Sequence, residues 1–184
     1  FIVQHATELV AIGEVGLDYW IVKEDAQQEI QREIFSRFIE LSIELNLPLN
    51  VHSRSAGKYA IEMLLQKGAV QVQMHAFDGN ATSAQKAVEA GYYFSIPPSI
   101  VRSKQKQKLV KKLPCSAILL ETDSPVLGPD PDERNVPVNI MVAAETIAHI
   151  KEIPIERVLE YALENTERLY GKTGAIKKLR YSLK

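Results

Sequence analysis

Five short runs of Val, Ile and Leu, each followed by a longer stretch, constrain this chain more than any other feature. Apolar runs of this kind read as strands buried on both faces. Helical stretches between them are the crossovers that parallel pairing requires. Strands are predicted at Leu9 to Gly13, Leu47 to Val51, Ala69 to Met74, Gly91 to Ile96 and Ser116 to Leu120. Between the first two, Ile30, Ile34, Phe38, Leu41 and Leu45 recur at spacings of three and four. They predict one apolar face on a helix from about Asp25 to Leu45, ended by Asn46. A second helix is expected from Ser55 to Lys67, stopping at Gly68, and a third is capped by Asn80 and ends at Gly91. A fourth spans Ser103 to Leu113, closed by Pro114. After the proline-rich loop Pro125 to Pro137 come two more helices, the second opening at Pro154. No linker or low-complexity tract interrupts the pattern, so residues 1–184 read as a single α/β domain.

Composition removes several function classes. Twenty-two Lys+Arg against 23 Asp+Glu leave a charge of -1, and 46% of the 184 residues are hydrophobic. That balance excludes a disordered tail, a collagen-like chain and a generally basic nucleic-acid wrapper. No apolar run approaches the roughly 18 to 20 residues that cross a bilayer, so no membrane partner is expected. The single cysteine, Cys115, fits a reducing compartment, the cytoplasm or the nucleus.

In parallel α/β folds the working residues collect past the carboxyl ends of the strands. Here the first strand runs into Gly13-Glu14, the second into Val51-His52, the third into Met74-His75 and the fifth into Glu121-Thr122-Asp123. A lone histidine is more often a hydrogen-bonded structural residue than a ligand. Two histidines and two carboxylates at one rim are hard to obtain from packing needs alone. Imidazole and carboxylate suit zinc and other borderline divalent ions. Glu14 is the natural bridging ligand, since a carboxylate can give one oxygen to each of two cations. Asp123 could bind metal and accept a proton from water. The implied chemistry is metal-assisted hydrolysis.

The segments AIGEVGLDY (residues 11–19), NVHSR (50–54), HAFDG (75–79) and ETDSP (121–125) resemble signatures of the TatD family of metal-dependent deoxyribonucleases. RNVP (134–137) and Asn165-Thr166 resemble its C-terminal motifs. HAFDG and SIPPSI (95–100) are most similar to the branch of TatD-domain proteins of the third type. The resemblance implies a TIM-like (β/α)8 barrel related to the amidohydrolases, with a two-metal site at its C-terminal face. It implies Glu14 bridging the metals, His52 and His75 on the second metal, and Asp123 on the first, orienting the nucleophilic water. Glu14 and Asp123 are thus the expected catalytic residues, and the expected ions are zinc or magnesium/manganese. DNA is the implied substrate, cleaved at phosphodiester bonds, often from the 3′ end. Arg54 and Lys104, the latter in the basic segment after the fourth strand, are the implied phosphate contacts.

Two family features are missing. Members open with a strand ending in His-x-His, which supplies the first metal, and carry a later histidine in a Gly-x-His-Pro context. Neither motif occurs here. The five strands then correspond to the fourth to eighth of the barrel. At about 31 residues per unit, roughly 90 residues would precede Phe1 in a full-length relative. The expectation is one tight metal or none, weak activity, and self-association through open sheet edges. Two alternatives stand beside the nuclease: an amidohydrolase-type hydrolase of a small amide, lactone or phosphoester, and an inactive truncated form.

Other residues are weighed singly. Lys and Arg fill six of the eleven positions from Arg102 to Lys112, either a solvated helix face or a track for a phosphate backbone through Lys104, Lys106 and Lys108. Asp18 is expected to hydrogen-bond a ligating histidine from outside rather than to ligate. Tyr19, Trp20 and Phe77 could stack on a base but more often pack. Ser124 lacks a partnering base, and His5, His149 and Cys115 read as structural or solvated.

Overall fold

A computed structural model describes residues 1–171 of the 184. The chain alternates β1 (Ile12–Gly16), α1 (Asp25–Leu45), β2 (Leu49–His52), α2 (Gly57–Lys67), β3 (Val72–Met74), α3 (Ala81–Glu89), β4 (Tyr93–Ile96), α4 (Lys104–Lys112) and β5 (Ile118–Leu120), then closes with α5 (Ile140–Lys151) and α6 (Ile155–Tyr170). All five predicted strands form. They pair in parallel in the order β1-β2-β3-β4-β5. A doubly wound sheet reverses its strand order at a switch point. Here every crossover advances one strand in the same direction, as in a (β/α) barrel, and consecutive helices α1 to α5 pack on one another along it.

The strands alternate in character. Leu49, Val51, Val72, Met74, Phe94, Ile96 and Ile118 join the apolar core with helix residues such as Phe35, Ile39, Leu64 and Val110. Between them, on the opposite pleat, lie Asn50, His52, Gln73 and Ser95. Across β2, β3 and β4 the sheet is therefore apolar toward the helices and polar toward its inner face, with a period of two.

Two expectations need correction. The sequence predicts the first strand at Leu9 to Gly13, but β1 runs Ile12–Gly16, with its register slipping between Ile12 and Val15. The cause is backbone proximity. Gly16 takes φ +152°, and a Cβ there would sit 1.9 Å from the carbonyl oxygen of His52, so only glycine permits this approach. Glu14 thus lies within the irregular part of β1, not beyond its end. On α1, Ile30 and Ile34 are 55% and 53% exposed, whereas Phe35, Ile39 and Ser42 are buried. The helix docks along a line one residue further on, about 100° round its axis, with Phe38, Leu41 and Leu45 at the flank. Ser42 tolerates burial because its hydroxyl donates to the Leu47 carbonyl at 2.7 Å.

The predicted stops hold. Asn46 and Gly68 end α1 and α2 in left-handed conformation, and the Asn80 side chain accepts from the Ser83 amide at 2.9 Å to start α3. Among the described residues, no helix is long and apolar enough to cross a membrane.

Candidate metal centre

Four separate pieces of chain bring their polar ends together at the carboxyl edge of the sheet. Glu14 Oε1 of β1 lies 2.7 Å from His52 Nδ1, at the end of β2, and 3.6 Å from Nε2 of His75, the residue after β3. One ligand atom from each of these three residues falls within 4.8 Å of the others. Asp123, three residues past β5, brings Oδ1 to 3.4 Å from His75 Nε2.

The far nitrogen of each imidazole is also taken. His52 Nε2 meets Asp18 Oδ2 at 3.0 Å, and His75 Nδ1 meets Glu121 Oε2 at 2.6 Å. Outer carboxylates of this kind fix which ring nitrogen carries hydrogen and leave the inner one with its lone pair. Those inner nitrogens face Glu14 and Asp123. A lone pair aimed at a carboxylate is repelled unless a proton or a cation lies between them. Two imidazoles and two carboxylates converging in this way fit a divalent ion that accepts nitrogen and oxygen ligands.

Electrostatics follow the same geometry. Burial opposes protonation of His75, but the hydrogen bond and charge of Glu121, with Glu14 and Asp123 behind it, hold its pKa above the ordinary value. Burial pushes the Asp123 carboxyl up, as do the like charges of Glu121 and Glu14, outweighing the two histidines. Burial also acts upward on Asp18, yet the Ile21 amide, His52 and the Trp20 amide together hold it below its ordinary value.

The cleft beside these groups encloses about 430 Å³ and includes Ser53, Arg54, Asp78 and Lys106 in its lining. Arg54 lies with its guanidinium 5.2 Å from the Trp20 ring centre. Lys104, the expected phosphate contact, is exposed and does not line the cleft, whereas Lys106 is 8% exposed and does. The reason is helical phase. Ser103 caps α4, and Lys106, two residues beyond Lys104, has rotated inward to donate to the Ala76 carbonyl at 2.8 Å. Burial lowers the Lys106 pKa, while Glu121, Asp78 and Asp123 pull it back up. Of the aromatics, Tyr19 and Phe77 are buried in the core and Trp20 is exposed.

Asp123 owes its place to a buried clamp. Its backbone is left-handed, φ 55°. Asn135, 1% exposed, donates through Nδ2 to the Thr122 and Val126 carbonyls at 2.6 and 2.7 Å, and Asn139 donates to its Oδ1 at 2.9 Å. Asn165, fully buried, does the same for the entry to β5, donating to the Cys115 and Ile118 carbonyls, both at 2.8 Å. The two C-terminal motifs are therefore fasteners for the strand and loop that carry Asp123.

Residues 2–171 match the family model described as "TatD related DNase". The chain belongs to the TatD family. It is 51% identical over 166 residues to "Deoxyribonuclease TATDN3" of Homo sapiens, covering 89% of this chain and 61% of that protein. It is 36% identical over 170 residues to "Uncharacterized metal-dependent hydrolase YabD" of Bacillus subtilis (strain 168), covering 89% of this chain and 66% of that one. The solved structure of YJJV, a TatD homolog from Escherichia coli k12, superposes with a TM-score of 0.82 at 26% identity over 91% of this chain and 68% of that one. The chain thus spans about three fifths of the length of the first curated relatives it matches. TatD membership agrees with the sequential parallel sheet and with the barrel class expected from the motifs.

Proposed function

We propose that this chain carries the metal-binding and catalytic residues of a hydrolase that cleaves phosphodiester bonds in DNA, acting from 3′ ends. The observation that carries the reading is the convergence of Glu14, His52, His75 and Asp123, with each imidazole backed by a further carboxylate. Glu14, His52 and His75 would hold one divalent ion, with Asp123 alongside it. Nitrogen and oxygen donors of this mixture suit zinc, with magnesium or manganese as the alternatives. A cation held there supplies polarisation of a phosphoryl oxygen and makes water more acidic.

The chain's own groups have the remaining work. Asp123, with its Oδ1 3.4 Å from His75 Nε2, accepts the proton of an attacking water. Arg54 and Lys106 are the cations that line the cleft, and they receive the charge of the phosphate backbone. The deoxyribonuclease name carried by the human relative favours this substrate over an amide or lactone. The sole cysteine of the sequence, Cys115, is unpaired, which supports action in a reducing compartment, the cytoplasm or the nucleus. Self-association through the outer edges of β1 and β5, which have no strand partner among the described residues, belongs to the same reading. Sedimentation velocity tests it.

The decisive experiment follows release of nucleotides from a 3′-labelled single strand, with zinc, magnesium or manganese added to chelator-treated protein. Metal-dependent product that disappears in His75→Ala and Asp123→Asn is expected. Hydrolysis that survives both substitutions would refute the assignment.

A further inference from the structure

Glu121 was not singled out by its sequence, yet it has the best-anchored side chain near the centre. Its Oε2 meets His75 Nδ1 at 2.6 Å and also accepts the Ser95 hydroxyl at 2.7 Å, and its Oε1 accepts the Ala76 amide at 2.9 Å. The chain of bonds continues inward. Gln73 Nε2 donates to Ser95 Oγ at 2.8 Å, and the Tyr170 hydroxyl, at the end of α6, donates to Gln73 Oε1. Gln73 sits on β3, Ser95 on β4 and Glu121 directly after β5, so the relay crosses the polar inner face of the sheet.

Counting hydrogens leaves one solution. An amide nitrogen can only donate, so Ser95 accepts from Gln73 and must spend its single hydrogen on Glu121. A carboxylate can only accept. Its third partner, His75 Nδ1, must therefore carry the hydrogen, and in the neutral ring Nε2 bears the lone pair, 3.6 Å from Glu14 and 3.4 Å from Asp123.

We propose that Glu121 is a positioning residue: anchored by Ser95, the Ala76 amide and the Tyr170–Gln73 relay, it commits His75 to the tautomer whose Nε2 can take a divalent cation. The inference rests on the reading of His75 as a ligand and extends it to residues that would not touch the ion themselves. Glu121→Gln tests it sharply. The Ala76 amide, fixed in the backbone, requires the amide oxygen at the Oε1 position, which turns the NH2 toward His75 Nδ1 and Ser95 Oγ, displaces the serine hydrogen and reverses the tautomer.

The test uses the chain labelled with 15N-histidine, free of metal and at a pH above the titration of the ring. Long-range 1H–15N spectra read the tautomer directly. Wild type is expected to show Nδ1–H at His75 and the glutamine variant Nε2–H, with the His52 signals unmoved. Zinc affinity, measured by competition with a chromophoric chelator, is expected to fall about 10- to 100-fold in that variant. Ser95→Ala and Gln73→Leu keep the carboxylate and are expected to retain Nδ1–H while weakening zinc several-fold. They also serve if Glu121→Gln does not fold. Nδ1–H retained in Glu121→Gln, or zinc affinity within threefold of wild type in all three variants, would overturn the proposal. Wild-type protein that takes up no zinc would instead refute the metal reading, with the tautomer still deciding the role of Glu121.

Discussion

Replacing Asn135 by Ala removes the clamp on the loop that carries Asp123. Three hydrogen bonds are lost: two donated to the Thr122 and Val126 carbonyls and one accepted from Asn139. At roughly 0.5 to 1.5 kcal/mol net for each, the expected cost is about 2 to 4 kcal/mol. For a domain of this size each kcal/mol lowers Tm by about 2 to 4 °C, so calorimetry should show a drop of about 4 to 16 °C. Asn135→Asp sharpens the test, because it keeps the shape but opposes a carboxylate to carbonyl oxygens. Its folded-state pKa must rise above the unfolded value near 3.9. The deficit relative to wild type is then largest above the folded-state pKa and shrinks as pH falls through it, when a protonated oxygen can donate again. Urea melts of both proteins at neutral and acid pH measure this difference. A variant within about 0.5 kcal/mol of wild type at neutral pH, or a deficit that does not change with pH, would refute the clamp.

Zinc added to chelator-treated protein should raise Tm, by the equivalent of about 2.7 kcal/mol at a hundredfold excess over Kd, and the rise should vanish in His52→Ala. Gly16→Ala should be among the most damaging single changes, costing more than about 3 kcal/mol, since its methyl would overlap the His52 carbonyl; a soluble variant with a wild-type melt would contradict the close approach. Burial pushes the pKa of Tyr92, whose hydroxyl donates to the Ala69 carbonyl at 2.9 Å, up to about 12. The unfolded phenol ionises near pH 10, so the unfolded chain loses its proton first and stability falls as pH climbs from about 10 to 12, by about 2 to 3 kcal/mol. Tyr92→Phe should flatten that alkaline limb in denaturant melts, and an unchanged slope would refute the assignment. Lys106→Gln should reduce the salt dependence of binding to a single-stranded oligonucleotide by fluorescence anisotropy, while Lys104→Gln leaves it nearly intact.

Much of this was legible because the features involved are local. Apolar runs, helix stops at Asn46 and Gly68, and ligand-type residues directly after strands can be read along the chain, and they placed the five strands and the four converging side chains. What was missed depends on rotation about an axis or on pairing across strands. The buried line of α1 through Phe35 and Ile39 lies one residue from the predicted one, because both lines satisfy the same spacing and only docking chooses between them. Lys104, Lys106 and Lys108 stood alike in a basic run readable as a solvated face or a phosphate track, and the inward turn of Lys106 depends on where Ser103 starts the helix. Glu121 was passed over because its partners Ser95 and His75 are 26 and 46 residues away. A signal was present in Gln73 and Ser95, polar residues inside otherwise apolar strands, which mark the inner face by their period of two.

The sequential strand order also bears on how the proposed cation site comes into being during folding. Each strand pairs with the next along the chain, across 20 residues from Gln73 to Tyr93 and 37 from Ile12 to Leu49. Loop-closure entropy separates those two steps by only about 0.5 kcal/mol, so assembly can begin in the middle and spread outward. An intermediate built on β2 and β3 would possess both histidines and neither of the inner carboxylates, which arrive with β1 and with the loop after β5. Cation affinity in such a chain is a gauge of whether both margins of the sheet have docked, and a bound ion would select the fully assembled state from all partly folded ones.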